Sequence, residues 1–375
     1  MTVLLVGIGT AMFVLVVSDI LLTLLHPSAR GPLSYRVNRL TWLAVRRVSI
    51  LPRSRWLLTY AGPAAFGMNF FAWVLGLWVA FALIYLPFID SFSYDRATPF
   101  GTHGLIEALY VSGTAITTVG FGDVVPATDV LRMAIILESA SGFGAFTAAV
   151  TYALSVYPLV TAIRSAAVRL ADLGMLDPGA AARLAVEGGA TELAALHKGL
   201  IENDENTKRF PILYYFESGD PSESTYTLLR SGLVMCIVLR WGVSHPAVPH
   251  AGFYGPALET TLRRLMDDYE TQFVGGRSRR GDRDEHPLLE SDDLADRLAV
   301  LRSGVSDAGV EVAEEDDDLP EGFASFVSRA EAFLDRIAYE HRNRHGPLLG
   351  RSGISRSEDA ARPTAATARA APRER

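Results

Sequence analysis

Apolar positions along this chain gather into a few long runs. Residues 3–25 form an almost unbroken apolar stretch of 23 residues. At 1.5 Å of rise per residue, a helix of that length covers the hydrocarbon core of a bilayer. Residues 60–87, rich in Trp, Phe, Leu and Ala, and residues 128–157 are two further runs of spanning length. Residues 102–117 are equally apolar but too short to span. Gly62, Pro63, Gly67 and Gly76 interrupt the second run, and in a membrane helix small residues permit close packing. The pattern predicts an all-α membrane protein with three transmembrane helices. From residue 161 onward no run reaches spanning length, and the periodicity predicts helices at 161–173, 178–186, 191–203, 222–239, 256–273, 292–302 and 322–342. Residues 232–239 are long enough only for a soluble core.

Charge orients these runs. Residues 26–56 contain seven arginines (Arg30, Arg36, Arg39, Arg46, Arg47, Arg53 and Arg55) and no Asp or Glu. Basic loops stay on the cytoplasmic side, which places this segment inside and the N-terminus outside. Leu40, Trp42, Leu43, Val45 and Val48 interleave with Arg39, Arg46 and Arg47, so the segment is expected to lie as a helix on the inner membrane surface. Between two spans, nucleic-acid binding is not the expected use of this charge. The loop 88–101 carries Asp90, Asp95 and Arg96 and falls outside; Arg164 and Arg169, past the third run, fall inside. A cleaved signal peptide would start with basic residues, and Met1-Thr2 has none, so a retained helix is expected. Asp19 within it is costly in lipid. It is expected to face other helices or to sit at the cytoplasmic end against the following arginines, as a functional or a purely structural group.

Composition agrees with a membrane part joined to a soluble part. The 375 residues are 49% hydrophobic and 21% charged, and mean hydropathy is positive. The net charge of −7 conceals the basic segment above and an acid-rich stretch at 282–321. The single cysteine, Cys236, excludes an intrachain disulfide framework and any cysteine-based zinc or iron–sulfur site.

The chemistry lies after the short apolar run, in Thr114-Ala115-Ile116-Thr117-Thr118-Val119-Gly120-Phe121-Gly122-Asp123. A dehydrated cation needs oxygens that replace its water shell, and a ring of backbone carbonyls from several chains supplies them. Successive carbonyls point one way only if some residues are left-handed, which glycine tolerates. Gly120 and Gly122 suit such a backbone. Phe121 between them would pack outward and brace the loop, and the Thr118 hydroxyl would add an oxygen layer. Residues 102–117 then read as a re-entrant helix, with Thr102 at its N-cap and Glu107 near its positive end. Its C-terminal dipole would favour a cation at mid-membrane.

This string resembles the selectivity filter of the potassium channel family, of the bacterial-like two-transmembrane-helix pore-loop type, with one extra N-terminal helix. The resemblance covers about 60–157. It implies K⁺ coordination by Thr118, Val119, Gly120, Phe121 and Gly122, with Thr117 and Asp123 supporting the filter. It also implies a homotetramer, since one filter occurs per chain and a symmetric cage needs four. Gly142 stands twenty residues after Gly122, about where such channels place a gating-hinge glycine; small-residue helix packing is the alternative. Phe146, Val150 and Leu154 share a face one turn apart and would line the cavity and inner gate. Glu138 either adds negative potential near the ion path or supports the filter by accepting hydrogen bonds behind the pore helix; the second is favoured.

The implied protein is a K⁺-selective channel of the plasma membrane, not an enzyme, with no cofactor beyond the permeant ion. Its partners are further copies of itself, the lipid bilayer and an unidentified cytoplasmic regulator, with no nucleic acid. The expected divisions are 1–25 (first helix), 26–58 (basic segment), 59–158 (pore domain), 159–345 (cytoplasmic helical domain) and 346–375 (disordered tail). Voltage sensing is not expected, because no span carries arginines at every third position. No strand followed by Gly-x-Gly-x-x-Gly indicates a nucleotide-binding module. Glu314–Asp318 lacks the spacing of a calcium loop and reads as a solvated linker. The aromatic patch 210–216 reads as core or inter-subunit packing. The alternatives are a nonselective cation channel of the same architecture, against which Gly120-Phe121-Gly122 argues, and a membrane-anchored cytoplasmic sensor. A K⁺ uptake transporter subunit would repeat the pore unit within one chain, and this chain has it once.

Overall fold

The computed structural model describes residues 1–25, 31–49, 55–94, 104–274, 289–313, 319–341 and 347–349. Arg30, Arg53, Asp95, Arg96, Thr102, the loop 275–285, the acidic run 314–318 and the tail from 350 lie outside the described residues. Helix α1 (Thr2–Leu25) is followed by α2 (Pro32–Val48), and a 3-10 turn (Arg55–Tyr60) leads into α3 (Ala61–Tyr85). A second 3-10 turn (Leu86–Ser91) and strand β1 (Phe92–Tyr94) precede α4 (Leu105–Ile116); strand β2 (Val124–Pro126) then leads to α5 (Asp129–Asp172). Among the described residues three helical segments are long and apolar enough to cross a membrane, at Thr2–Leu24 in α1, at Trp56–Ser91 around α3 and at Asp129–Asp172, which is α5. The short strands pair antiparallel with Ser93 opposite Val125, a pairing that the irregular sequence on either side of the pore loop does not announce.

Two compact units share the chain. The first comprises Met1–Ala167 with Ile201–Thr225, and the second Val168–Leu200 with the described residues from Tyr226 onward. In the first unit α1 and α3 meet through small residues. A Cβ on Gly9 would lie 2.6 Å from the Ala80 carbonyl oxygen, and one on Gly76 2.7 Å from a Val16 methyl. Such approach maximises dispersion contact where lipid removes the hydrophobic drive.

Asp19 is fully buried. It accepts from the Leu33 amide at 2.7 Å, the Ser34 amide at 3.2 Å, the Ser34 hydroxyl at 2.5 Å and the Trp73 indole at 2.9 Å. It therefore caps the first turn of α2 and ties α1, α2 and α3 together. This satisfies orphan helix-start donors, where a carboxylate is favoured. The buried side of α2 is Ser34, Asn38 and Trp42, four residues apart. Asn69 donates to Asn38 at 2.8 Å, and Trp42 packs on Tyr214 and Tyr215. Of the apolar residues read as the membrane face of this helix, Leu40, Leu43 and Val48 are exposed, whereas Trp42 turns into the protein.

α5 is one helix of 44 residues, about 66 Å long against roughly 30 Å of hydrocarbon. The expected end at Tyr157 and the separate helix at 161–173 are therefore corrected. Pro158 lies inside the helix and removes only the bond that its missing N–H would make to the Leu154 carbonyl. The buried side of α5 is Glu138, Gly142, Ala145, Ala149, Tyr152 and Val156. Residues 210–216 pack within this first unit. The ring of Phe210 lies 5.6 Å from Tyr152, that of Phe216 5.7 Å from Tyr157, and Pro211–Tyr215 forms a buried 3-10 turn.

The second unit contains α6 (Pro178–Glu187), the start of α7 (Gly189–Arg209), α8 (Thr225–Ile237), α9 (Ala251–Tyr269), α10 (Ser291–Asp307) and α11 (Phe323–His341). Every residue of α8 from Tyr226 to Ile237 is buried, so this short helix is the axis of that core. Helix α9 begins five residues before Pro256, which was expected to start it, and α8 begins after a separate 3-10 turn at Pro221–Glu223. Of the stretch from 346 expected to be disordered, residues 347–349 are described, and Leu348 and Leu349 are fully buried.

Candidate functional site

The site is built on α4, whose 12 residues give about 18 Å of helix, too short to cross. The chain leaves it at Ile116 and turns back on its last carbonyls. The Val119 and Gly120 amides both reach the Thr114 carbonyl, at 3.0 and 3.3 Å, and the Thr118 amide reaches that of Ala115 at 3.0 Å. The backbone then alternates in hand. Thr118, Gly120 and Gly122 have φ of 59°, 53° and 80°, and Thr118 is the one non-glycine residue with positive φ among the described residues. Alternating left- and right-handed residues collect their N–H groups on one side. Here that side is the end of α4, which the Thr118, Val119 and Gly120 amides face, so the carbonyls of Thr117, Thr118 and Val119 in the same peptides point away from it. A β-branched residue in the left-handed region is strained by about 1–2 kcal/mol. The hydrogen bonds to the end of α4 hold Thr118 in this strained conformation.

Further contacts hold the loop and α4. The Tyr110 hydroxyl donates to Asp123 at 2.7 Å, closing the far end of the loop onto the helix. The Thr117 hydroxyl donates to the Gly113 carbonyl at 2.6 Å. Trp78 of α3 donates its indole N–H to the Leu109 carbonyl at 2.8 Å. From α5, the Ser139 hydroxyl donates to the Ala115 carbonyl at 2.9 Å. Glu138 is fully buried behind α4 and accepts from the Tyr85 hydroxyl at 2.8 Å and from the Ser112 hydroxyl. Gly142 passes the end of α4 so closely that a Cβ would lie 2.3 Å from the Ile116 carbonyl oxygen. α5 is helical through this point.

The remaining predicted residues are exposed in the single chain. Val119 is 54% and Phe121 72% exposed. They border a shallow groove of about 330 Å³ with Trp78, Ile106, Tyr110 and Gly113 among its walls. Phe146, Val150 and Leu154 are exposed on α5. Beside them run Thr147, Thr151 and Ser155, whose hydroxyls donate at 2.9 Å to the carbonyls of Phe143, Thr147 and Thr151. This hydroxyl stripe, and Tyr85, Tyr110, Ser112 and Ser139, escaped the sequence reading. The available signal was a set of polar groups inside apolar elements at helical spacing. Among the described residues no group of three His, Cys, Asp or Glu could hold a metal ion.

Comparison with known proteins finds one family model and one relative. Residues 66–157 match the family model described as "Ion channel". The chain is also 24% identical over 288 residues to the uncharacterized membrane protein YdjJ of Bacillus subtilis (strain 168), covering 76% of this chain and 80% of that protein. No solved structure matches. The matched span holds most of α3, all of α4 with its loop, and α5 as far as Tyr157, so the region around the α4 loop is similar to an ion channel domain.

Proposed function

We propose that the chain is a K⁺-selective channel in which four copies surround one pore. The carrying observation is the alternating backbone hand at Thr118, Gly120 and Gly122, within a string of the potassium-channel type. In this reading the carbonyls of Thr118, Val119, Gly120 and Phe121, with the Thr118 hydroxyl, replace the water shell of K⁺, and Gly122 lets the strand leave the cage. Ions held in a row repel one another onward. Thr117, Asp123 and Glu138 keep the strand against α4. Phe146, Val150 and Leu154 line the inner cavity and gate, and Gly142 is the point about which α5 would bend. The pore domain is 59–158, the N-terminus lies outside the plasma membrane, and the part beyond the pore lies in the cytoplasm, where it relays a signal to the gate. The exposed Val119 and Phe121 are consistent with a loop completed by neighbouring copies.

Ion flux through purified protein in liposomes tests the reading. K⁺ flux well above Na⁺ flux is expected. Equal flux of the two ions, or none from folded tetramers, overturns it. Gly120→Ala places a Cβ at φ 53°, a cost of about 1–2 kcal/mol in each chain. It is expected to abolish K⁺ flux while tetramers still form.

A further inference from the structure

The second unit holds a buried charge arrangement that ion conduction does not use. Arg230 on α8 is 1% exposed. Its guanidinium donates to the Pro347 carbonyl at 2.7 Å and to the Tyr226 hydroxyl at 3.1 Å. The Leu348 amide is the other half of that same peptide bond, and it donates to the two carboxylate oxygens of Glu331 on α11, at 2.9 and 3.2 Å. Arg297 of α10 holds this carboxylate at 3.2 Å. One peptide group is thus bracketed, with its oxygen on a buried cation and its N–H on a buried anion. The peptide dipole runs between opposite charges, and hydrogen bonds to ionised groups are the strong ones. Leu348 and Leu349 on the far side of that bond are fully buried.

The tripeptide Pro-Leu-Leu occurs twice, at 287–289 and 347–349. The Leu289 amide donates to the Ser328 hydroxyl at 3.0 Å, and Ser328 lies one turn before Glu331. Side chains on one stretch of α11 therefore receive main-chain amides from both segments. Leu348 and Leu349 form a turn, and main-chain recognition supplemented by side-chain sockets is one way in which proteins take peptides. Proline at the first position adds no N–H to satisfy and presets the backbone.

We propose that Arg230, Glu331 and Arg297 form a peptide-binding site whose resident ligand is the chain's own Pro347-Leu348-Leu349. This segment is a strap that detaches, and the emptied site takes a Pro-Leu-Leu peptide in the turn that Leu348 and Leu349 form here. Pro347 lies six residues after His341, the last residue of α11, in sequence, so the strap competes as an intramolecular ligand, for which effective concentrations on the order of mM are usual. A free peptide therefore binds the strapped protein weakly.

The test uses full-length protein in detergent and the fluorescent peptide Gly-Pro-Leu-Leu-Gly as probe. Leu348→Ser with Leu349→Ser empties the sockets, and fluorescence anisotropy is expected to show at least tenfold tighter peptide binding than to the wild type. The same peptide N-methylated at its first leucine lacks the proton that Glu331 accepts, and is expected to bind the variant at least tenfold more weakly. Absence of binding to a folded variant overturns the proposal, as does equal binding of the two peptides or to the two proteins. Should the variant fail to fold, hydrogen exchange on the wild type decides. Leu348 and Leu349 amides exchanging at least tenfold faster than those of α8 support a detachable strap; exchange in step with α8 makes the segment part of the core and overturns it.

Discussion

Replacing Gly142 by alanine adds one carbon where α5 has no room for it. The new Cβ would sit 2.3 Å from the Ile116 carbonyl oxygen and 2.7 Å from the Ile116 Cγ1. Carbon and oxygen rest at about 3.3 Å or more, so one element must shift by about 1 Å. The atom in the way is backbone at the end of α4, two residues before Thr118, and no rotamer change relieves it. Overpacking of this kind costs about 1–3 kcal/mol. Alanine recovers about 0.5–1 kcal/mol of helix propensity over glycine. A net loss of up to roughly 2.5 kcal/mol per chain remains, repeated in each copy of an assembly. A glycine used only for bending predicts the opposite sign, since a stiffer helix would raise stability and leave the loop untouched. The assays are thermal melting of the purified protein and the K⁺/Na⁺ flux ratio, with Gly144→Ala as control because nothing lies within 4 Å of a Cβ there. Lowered melting with a lowered flux ratio is expected for Gly142→Ala, and neither for Gly144→Ala. Gly142→Ala melting at or above wild type with unchanged selectivity refutes the close-approach argument.

Three other outcomes follow from named contacts. Tyr110→Phe removes the donor 2.7 Å from Asp123; losing a hydrogen bond to a charged group costs about 1.5–3 kcal/mol. Shortened or unstable K⁺ flux with little change in helix content is expected, and wild-type flux would show that the contact does not hold the loop. Asp19→Ala strips the cap from α2 and leaves the Trp73 indole without its acceptor, a loss of at least about 1 kcal/mol. Faster proteolysis around α2 is the readout, and unchanged digestion would contradict the anchoring role. In the second unit, burial first and Arg264 second hold the His197 imidazole below its ordinary value, with its ring hydrogen-bonded to the Thr261 hydroxyl at 2.9 Å. The unfolded chain then takes the proton first, so this contribution is full above about pH 6.5 and is lost as pH falls below it. Melting should drop between about pH 7 and pH 5 by less in His197→Gln than in wild type; equal drops would remove His197 from the account.

The three membrane-length helices and the short apolar helix between the second and third were legible in the sequence, because solvation by lipid is decided residue by residue. The left-handed turns at Gly120 and Gly122 were legible for a similarly local reason, since few other residues accept them. What surrounds these elements was not local. Thr118 is left-handed because three amide hydrogen bonds to the end of α4 force it, against its own preference. Asp19 and Glu138 are both carboxylates in apolar helices, and the sequence favoured hydrogen bonding behind the pore helix for Glu138 but named no partner for it and left Asp19 between two readings. Only packing decided that one caps α2 and the other meets Tyr85 and Ser112 behind α4. The third apolar run was expected to end at Tyr157, yet the helix continues through Pro158, where one missing hydrogen bond is a small loss in a helix of 44 residues. The return of 201–225 to the first unit joins residues far apart in the chain, where Phe210 and Phe216 find Tyr152 and Tyr157. Local chemistry determined which segments enter the membrane and where the backbone turns back. Tertiary contacts decided which buried polar groups meet, because a carboxylate chooses its partners from whatever the fold brings within reach.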